Sequence, residues 1–331
     1  MPRKYKNLDS KDRKLLCLLS KNARIPVSKL SKSLGISREL ADYRIRKLQK
    51  LGYIKSFNLG ISNLHFGYEP YYITIKLQNI TNENIARVCN YLKHNPNVKY
   101  LERTSGNWDI SMSVAVKNKI ELARFVDSLN EMFGDFIAEN HIFSSITTIK
   151  HESLEFIERV DYSDKNSSKT NDIKNEKIVL DKRDKEILRV LSENSRLSVS
   201  QLARKLKMNP YTCQRRFNTL QKIGIIRYTK ANIAIEKFGL EQYIILLKIN
   251  KLSREKRKKI FAFLKEEKKV MYAERILGNF DMRVTIVAQN QREFDEELNA
   301  LRSYLREDIK QYSFSIIMET LKKTSYPEAM W

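Results

Sequence analysis

"GISRELADYRIRKLQKLGYI", residues 35–54, decides how the rest of the chain is read. Gly35 suits a left-handed turn, and Ser37 stands where a helix N-cap belongs. From about residue 38 to 51, Leu40 or Ala41, Ile45, Leu48 and Leu51 share one helical face, and Gly52 ends the run. Upstream, Leu15, Leu16, Leu18 and Leu19 mark a helix over 9–21. Val27, Leu30 and Leu34 mark a short one over 27–34. Downstream, "YIKSFNLGIS" is extended and predicts a β-wing. Three helices and a wing make a winged helix-turn-helix, whose third helix reads a DNA groove.

The chain repeats this segment. "KMNPYTCQRRFNTLQKIGII" at 207–226 aligns with 35–54 at an offset of 172 residues. Over 8–54 the ungapped offset makes 18 of 47 positions identical, among them Asn22 with Asn194, Arg24 with Arg196 and Arg44 with Arg216. The register continues through Gly106-Asn107 with Gly278-Asn279 and Asp109 with Asp281. This is a tandem duplication.

The remainder of each copy alternates strand and helix patterns. "YYITIKL" (71–77) has period two, and "NENIARVCNYLKH" (82–94) puts Ile85, Val88, Cys89 and Leu92 on one stripe. Two strands, "VKYLERTS" and "DISMSVAV", flank a tight Gly106-Asn107 turn. The helix "KIELARFVDSLNEMF" and the strand "FIAENHIFSSITTI" complete a βαββαβ order, that of a ferredoxin-like sandwich. The predicted class is α+β, with two winged helix-turn-helix domains and two sandwiches in tandem. We expect a first winged helix over 1–66, a sandwich over 67–152, a flexible polar linker over 153–177, a second winged helix over 178–238 and a second sandwich over 239–325.

Charge follows this division. Of the net +23, residues 1–60 carry +12 and residues 178–230 carry +9. A general solubility surface would not segregate in this way, so contact with a polyanion through the winged helices is the economical reading. Cys17, Cys89 and Cys213 are scattered and odd in number, which predicts a reducing cytoplasm and no disulfide framework. We assign them no chemistry. His65, His94, His141 and His151 lack metal-ligand spacing, and no metal or cofactor is expected. No apolar run approaches the roughly 18–20 residues of a membrane span, and the first residues lack a signal-peptide core.

On "LDSKDRKLLCLLSKNARIPVSKLSKSLGIS", "SRELADYRIRKLQKLGYI" and "SGNWD", and their counterparts "LDKRDKEILRVLSENSRLSVSQLARKLKMNP", "YTCQRRFNTLQKIGII" and "LGNFD", the chain resembles the Lrp/AsnC (feast/famine) regulators. The family typically has one unit per chain. This chain has two. The resemblance implies a non-enzymatic regulator of double-stranded DNA that pairs through its sandwiches (RAM domains) and builds larger homo-oligomers. Here the two RAM domains are expected to pair within one chain.

The resemblance places groove-facing positions at Ser37, Arg38, Glu39, Asp42, Tyr43 and Arg46 in the first copy. In the second they are Asn209, Tyr211, Thr212, Gln214, Arg215 and Asn218. Arg pairs with guanine, Asn or Gln with adenine, and carboxylates accept from cytosine N4. Glu39 and Asp42 either read cytosine or turn to Arg38 and Arg46 as ion pairs. Arg44 and Arg216 are expected to contact phosphate or to pack their stems. The resemblance also makes Gly106, Asn107, Trp108, Asp109 and Gly278, Asn279, Phe280, Asp281 candidates for binding an amino acid or other small metabolite. The competing reading is a tight hairpin with an aromatic plug. Two other functions share these features: a siroheme-decarboxylase-like tetrapyrrole enzyme, and a sequence-tolerant architectural protein of chromatin.

Overall fold

The structure, a computed structural model, describes residues 8–79, 81–151, 153–158, 160, 180–324 and 326–330. The basic arm at 2–6 and the linker from 161 to 177 lie outside the described residues.

Local chemistry sets the elements of the first copy. Asp9 accepts the Asp12 backbone N–H at 2.7 Å and starts α1 (Ser10–Lys21). α2 (Val27–Leu34) ends on Gly35 at φ 61, and the Ser37 hydroxyl caps α3 (Arg38–Lys50). Ala41 takes the buried place on α3, while Leu40 is left 39% exposed. β1 (Ile54–Ile61), β2 (Glu69–Leu77), α4 (Asn82–His94), β3 (Val98–Gly106), β4 (Ile110–Val116), α5 (Lys119–Phe133) and β5 (Ile137–Lys150) follow. The second copy repeats the order as α6 (Lys182–Glu193), α7 (Val199–Lys205), α8 (Pro210–Lys222), β6 (Ile226–Ile233), β7 (Glu241–Ile249), α9 (Arg254–Glu266), β8 (Val270–Leu277), β9 (Met282–Ala288), α10 (Gln291–Leu305) and β10 (Ile309–Lys323). The α+β class and the βαββαβ order are as the sequence predicts.

The elements gather into two units that cut across the repeat. Met1–Phe66 with Leu154–Gly239 form one, and Gly67–Ser153 with Leu240–Trp331 form the other.

In the first unit the expected wing takes a different form. β1 does not fold back as a hairpin. It pairs antiparallel with β6, from Ile54 opposite Ile233 to Ile61 opposite Ile226. Each strand is followed by a short 3-10 turn, Asn63–Phe66 or Ile235–Phe238, which supplies no return strand. Its row of backbone donors and acceptors needs a partner, and the homologous strand provides it. Gly60 faces Tyr228 in this ladder, and a Cβ at Gly60 would lie 2.3 Å from that ring. The start of the expected linker is also corrected. Leu154, Ile157 and Val160 are buried. They recur every third residue and lie along α1, where Lys21 Nζ donates to Val160 O at 2.9 Å and Arg13 meets Glu158 at 3.4 Å. This apolar stripe makes the stretch part of the domain rather than a free tether.

In the second unit each sandwich contributes four strands, and the two sheets join at both edges. β5 pairs with β8, β10 pairs with β3, and the result is a closed eight-stranded barrel. Closure leaves no free sheet edge. Each sandwich keeps its own core beneath its helices. A third apolar cluster of Tyr72, Trp108, Phe143, Ile244, Ile276 and Phe280 draws on both copies. Beside it lies a buried charge network. Arg283 meets Glu274 at 3.3 Å and Glu102 at 3.8 Å, and its guanidinium lies 4.4 Å from the Tyr72 ring centroid.

Candidate DNA interface

The third helix of each helix-turn-helix is fixed from beneath by an arginine. Arg44 Nη1 donates to Asp9 Oδ2 at 2.7 Å and to Asp12 Oδ1 at 2.6 Å. Arg216 repeats this with Asp181 at 2.7 Å and Asp184 at 2.8 Å. Burial alone would raise the Asp9 carboxyl, but the Asp12 N–H and the Arg44 guanidinium hold it below its ordinary range. The Asp184 N–H, then Arg216, do the same for Asp181. Arg44 and Arg216 are therefore spent on the N-terminus of the first helix. Phosphate contact or packing of the stems is the expectation, and the structure shows both guanidinium groups in an internal clamp.

The twelve groove-facing candidates all lie on α3, on α8 or at their caps. Arg38, Glu39 and Arg46 are exposed, and Tyr43 is 58% exposed. Asp42 pairs with Arg46 at 3.1 Å. Glu39 is held below the usual carboxylate range by its own backbone N–H, then by the Ser37 hydroxyl and Arg38. In the second copy Tyr211 is 79% exposed, Arg215 is exposed and Thr212 half-buried. Gln214 Nε2 donates to Asn218 Oδ1 at 2.6 Å. The positions 42 and 46 thus hold an ionic i,i+4 pair where 214 and 218 hold an amide pair. Ser37 and Asn209 are the N-caps. The Asn209 side-chain oxygen accepts from the N–H groups of Tyr211 and Thr212.

Sequence reasoning noted the identity of Arg24 and Arg196 without giving it a role. Each crosses to the other copy. Arg24 Nη1 donates to Ser195 O at 2.8 Å and lies 4.5 Å from the Phe217 ring of α8. Arg196 donates to Ala23 O and lies over Phe57 of β1. Burial, then the like charge of Arg196, pushes the Arg24 pKa down. Lys55 of β1 also meets Glu236 of the second copy at 2.7 Å. The two helix-turn-helix copies are consequently held by reciprocal contacts within one unit.

The metabolite candidates are held by folding contacts. Asp109 Oδ2 accepts from Leu77 N at 2.8 Å, and Asp281 Oδ2 from Ile249 N at 2.8 Å. Trp108 and Phe280 are buried in the shared cluster. Asn107 exchanges backbone and side-chain bonds with Phe314, and Trp108 Nε1 donates to Ser313 at 2.9 Å. Gly106 holds φ 122, and a Cβ there would lie 2.9 Å from Phe314 O. Gly106, Asn107, Gly278 and Asn279 are all exposed, and a Cβ at Gly278 would lie 2.9 Å from the Phe143 ring. No group of His, Cys, Asp and Glu among the described residues is arranged to hold a metal ion, and no described helix is long and apolar enough to cross a membrane.

Residues 8–55 and 180–227 match the family described as winged helix-turn-helix DNA-binding, and residues 242–327 match the Lrp/AsnC ligand binding domain. An uncharacterized HTH-type transcriptional regulator of Pyrococcus horikoshii is 32% identical over 148 residues, 97% of its length and 44% of this chain. The chain belongs to the Lrp/AsnC family. It is a DNA-binding transcriptional regulator of that type, built as two units in one polypeptide. The HTH-type transcriptional regulator FL11 of Pyrococcus furiosus is 27% identical over 128 residues, 83% of its length and 38% of this chain. Among solved structures, the siroheme decarboxylase NirDL superposes over 96% of this chain and 94% of its own, with a TM-score of 0.64 and 14% identity. That is a likeness of fold.

Proposed function

We propose that one chain of this Lrp/AsnC regulator reads an asymmetric DNA site with two different recognition helices. The observation that carries the proposal is the β1–β6 ladder, which puts both helix-turn-helix copies in one unit. The family's usual pair of identical readers is thereby replaced by α3 and α8 of a single chain. A homodimer's operators tend to mirror its two-fold symmetry. Here Arg38 stands against Pro210, Glu39 against Tyr211, Asp42 against Gln214 and Tyr43 against Arg215. Selection of bound DNA from a random pool tests the reading. Two half-sites of different sequence are expected. Perfect palindromes would refute it, and the absence of any motif would favour a sequence-tolerant architectural role.

A small-metabolite effector, such as an amino acid, is part of the same proposal. It is supported by the match of residues 242–327 to the ligand binding domain. In this reading the second turn is the better entry point, since Asn107 and Trp108 are hydrogen-bonded to β10. The enzymatic alternative rests on the fold likeness to NirDL. A tetrapyrrole absorption band in the purified protein would favour it.

A further inference from the structure

The turn after the first helix of each copy docks on the other copy in the same way through the backbone. Ala23 N donates to Thr229 O at 2.8 Å, and its repeat equivalent Ser195 N donates to Phe57 O at 2.9 Å. The arginines that follow begin alike. Arg24 Nη1 donates to Ser195 O at 2.8 Å and also to Leu197 O, and Arg196 Nη1 donates to Ala23 O. The far ends of the third helices are also approached alike. A Cβ at Gly52, just past α3, would lie 3.1 Å from Lys237 Cε, and one at Gly224, just past α8, would lie 3.9 Å from His65 Cε1. Lys237 and His65 are repeat equivalents.

The aromatic side chains break this symmetry. On the strand, Phe57 of the first copy stands where the second has Thr229. On the third helix, Phe217 of the second copy stands where the first has Ile45. Each arginine therefore meets one ring, and the two rings lie on different elements. Arg24 lies 4.5 Å from the Phe217 ring centroid on α8, and Arg196 lies 5.6 Å from the Phe57 ring centroid on β1. Both rings are buried. A guanidinium over a ring shielded from water is held more firmly than one at an exposed site. Asp42 of α3 acts on Arg196 through its charge, while its ion pair is with Arg46.

We propose that Arg24 is a positioning residue for the reader of the other copy: it holds α8 through Phe217, whereas Arg196 spends its stack on β1 and leaves α3 freer. The proposal rests on the reading of α3 and α8 as two different readers. Phe217 lies on the buried side of α8, within one turn of the groove-facing candidates Gln214, Arg215 and Asn218. A recognition side chain keeps its geometry only as well as the shell beneath it is held. α8 is gripped from its own copy by the Arg216 clamp and from the other copy by Arg24. α3 has the Arg44 clamp and, at Ile45, no ring on which Arg196 could stack. The first copy thus sharpens what the second copy reads. The α8 half-site is the stringent one, and the α3 half-site tolerates more base changes.

The test uses the full chain with Arg24→Lys, which keeps the charge but loses the planar stack. A second variant, Phe217→Ile, removes the ring and leaves the arginine. Amide hydrogen exchange in the free protein is the first measurement. Each variant is expected to speed exchange in α8 by about tenfold, the size of one desolvated cation–π contact, and to leave α3 at its original rate. Arg196→Lys should leave α3 unchanged as well. The second measurement is affinity for a panel of duplexes with single base changes in each half-site. Preference in the half-site that Arg215→Ala marks as belonging to α8 should relax by a similar factor, with the other half-site unmoved. If Arg24 merely stabilised its own copy, Arg24→Lys would loosen α3 at least as much as α8, and that result would overturn the proposal. Unchanged exchange in α8 would overturn it too. Failure of the two-reader reading would show separately, as Arg215→Ala moving both half-sites together, and exchange in α8 would still decide the role of Arg24.

Discussion

Asp42 answers why a recognition helix carries carboxylates: it pairs with Arg46 on the same exposed face at 3.1 Å. A surface pair of this kind contributes little to stability, about 0.3–0.5 kcal/mol. At the proposed DNA interface its effect would be larger in kind, because the carboxylate would oppose phosphate and hold the guanidinium back. Asp42→Ala is expected to leave folding nearly unchanged and to tighten DNA binding. It should also steepen the salt dependence measured between about 50 and 200 mM. Weaker binding by this variant would mean that Asp42 accepts from a base. Beneath the helix the clamps give a pH prediction. The Asp9 and Asp181 carboxyls are depressed in the folded chain, so their contribution is present above the unfolded value and lost as pH falls through the folded one. Removing both clamps with Arg44→Ala and Arg216→Ala should move the acid-unfolding midpoint of the helix-turn-helix unit to higher pH. An unmoved midpoint would show that the ion pairs carry no linkage.

At the scale of elements, the charge network inside the barrel discriminates between pairings. Glu102 and Glu274 are repeat equivalents, whereas Arg283 stands where the first copy has Ser111. Pairing unlike sandwiches brings one arginine to two glutamates. Pairing two first sandwiches would bury two glutamates without it. Arg283→Ser should therefore destabilise the barrel unit by about 3–5 kcal/mol in denaturant unfolding, the cost of stranding buried charge. A loss below about 1 kcal/mol would indicate that the glutamates are protonated or hydrated instead. Much of this architecture was legible in the sequence. The helices at 82–94 and 119–133 show caps and apolar periods that local chemistry dictates. The β1–β6 ladder was not legible, because period-two patterning reveals a strand and not its partner. Nor was the Arg44 clamp, whose aspartates lie a whole domain's helices away in sequence. The left-handed turn before the third helix was legible at Gly35, yet its equivalent is Lys207 at φ 48, a conformation imposed by context. At the candidate interface the Asp42–Arg46 pair could be anticipated from its i,i+4 spacing. The role of Arg24 and Arg196 could not, since identity between copies does not say which copy a side chain serves.

For the whole molecule, the proposed asymmetric site follows from duplication. Surplus charge is concentrated on the two helix-turn-helix copies, so in the proposed reading both are drawn to phosphate. Base contacts then separate them, since each good bidentate contact discriminates by about 1–3 kcal/mol. Two or three differences between α3 and α8 suffice to give half-sites distinct preferences. If the reciprocal contacts of Arg24 and Arg196 keep the usual family geometry, the half-sites lie about one helical turn apart. Arg215→Ala is expected to relax preference in one half-site by about tenfold, the equivalent of a single lost contact. Glu39→Ala should change preference in the other half-site while tightening binding overall, because a carboxylate leaves the phosphate field. Both outcomes are read from affinities for a panel of sites with single base changes in each half. If the two substitutions moved the same half-site, α3 and α8 would not be independent readers, and the duplicated chain would act as an ordinary symmetric pair.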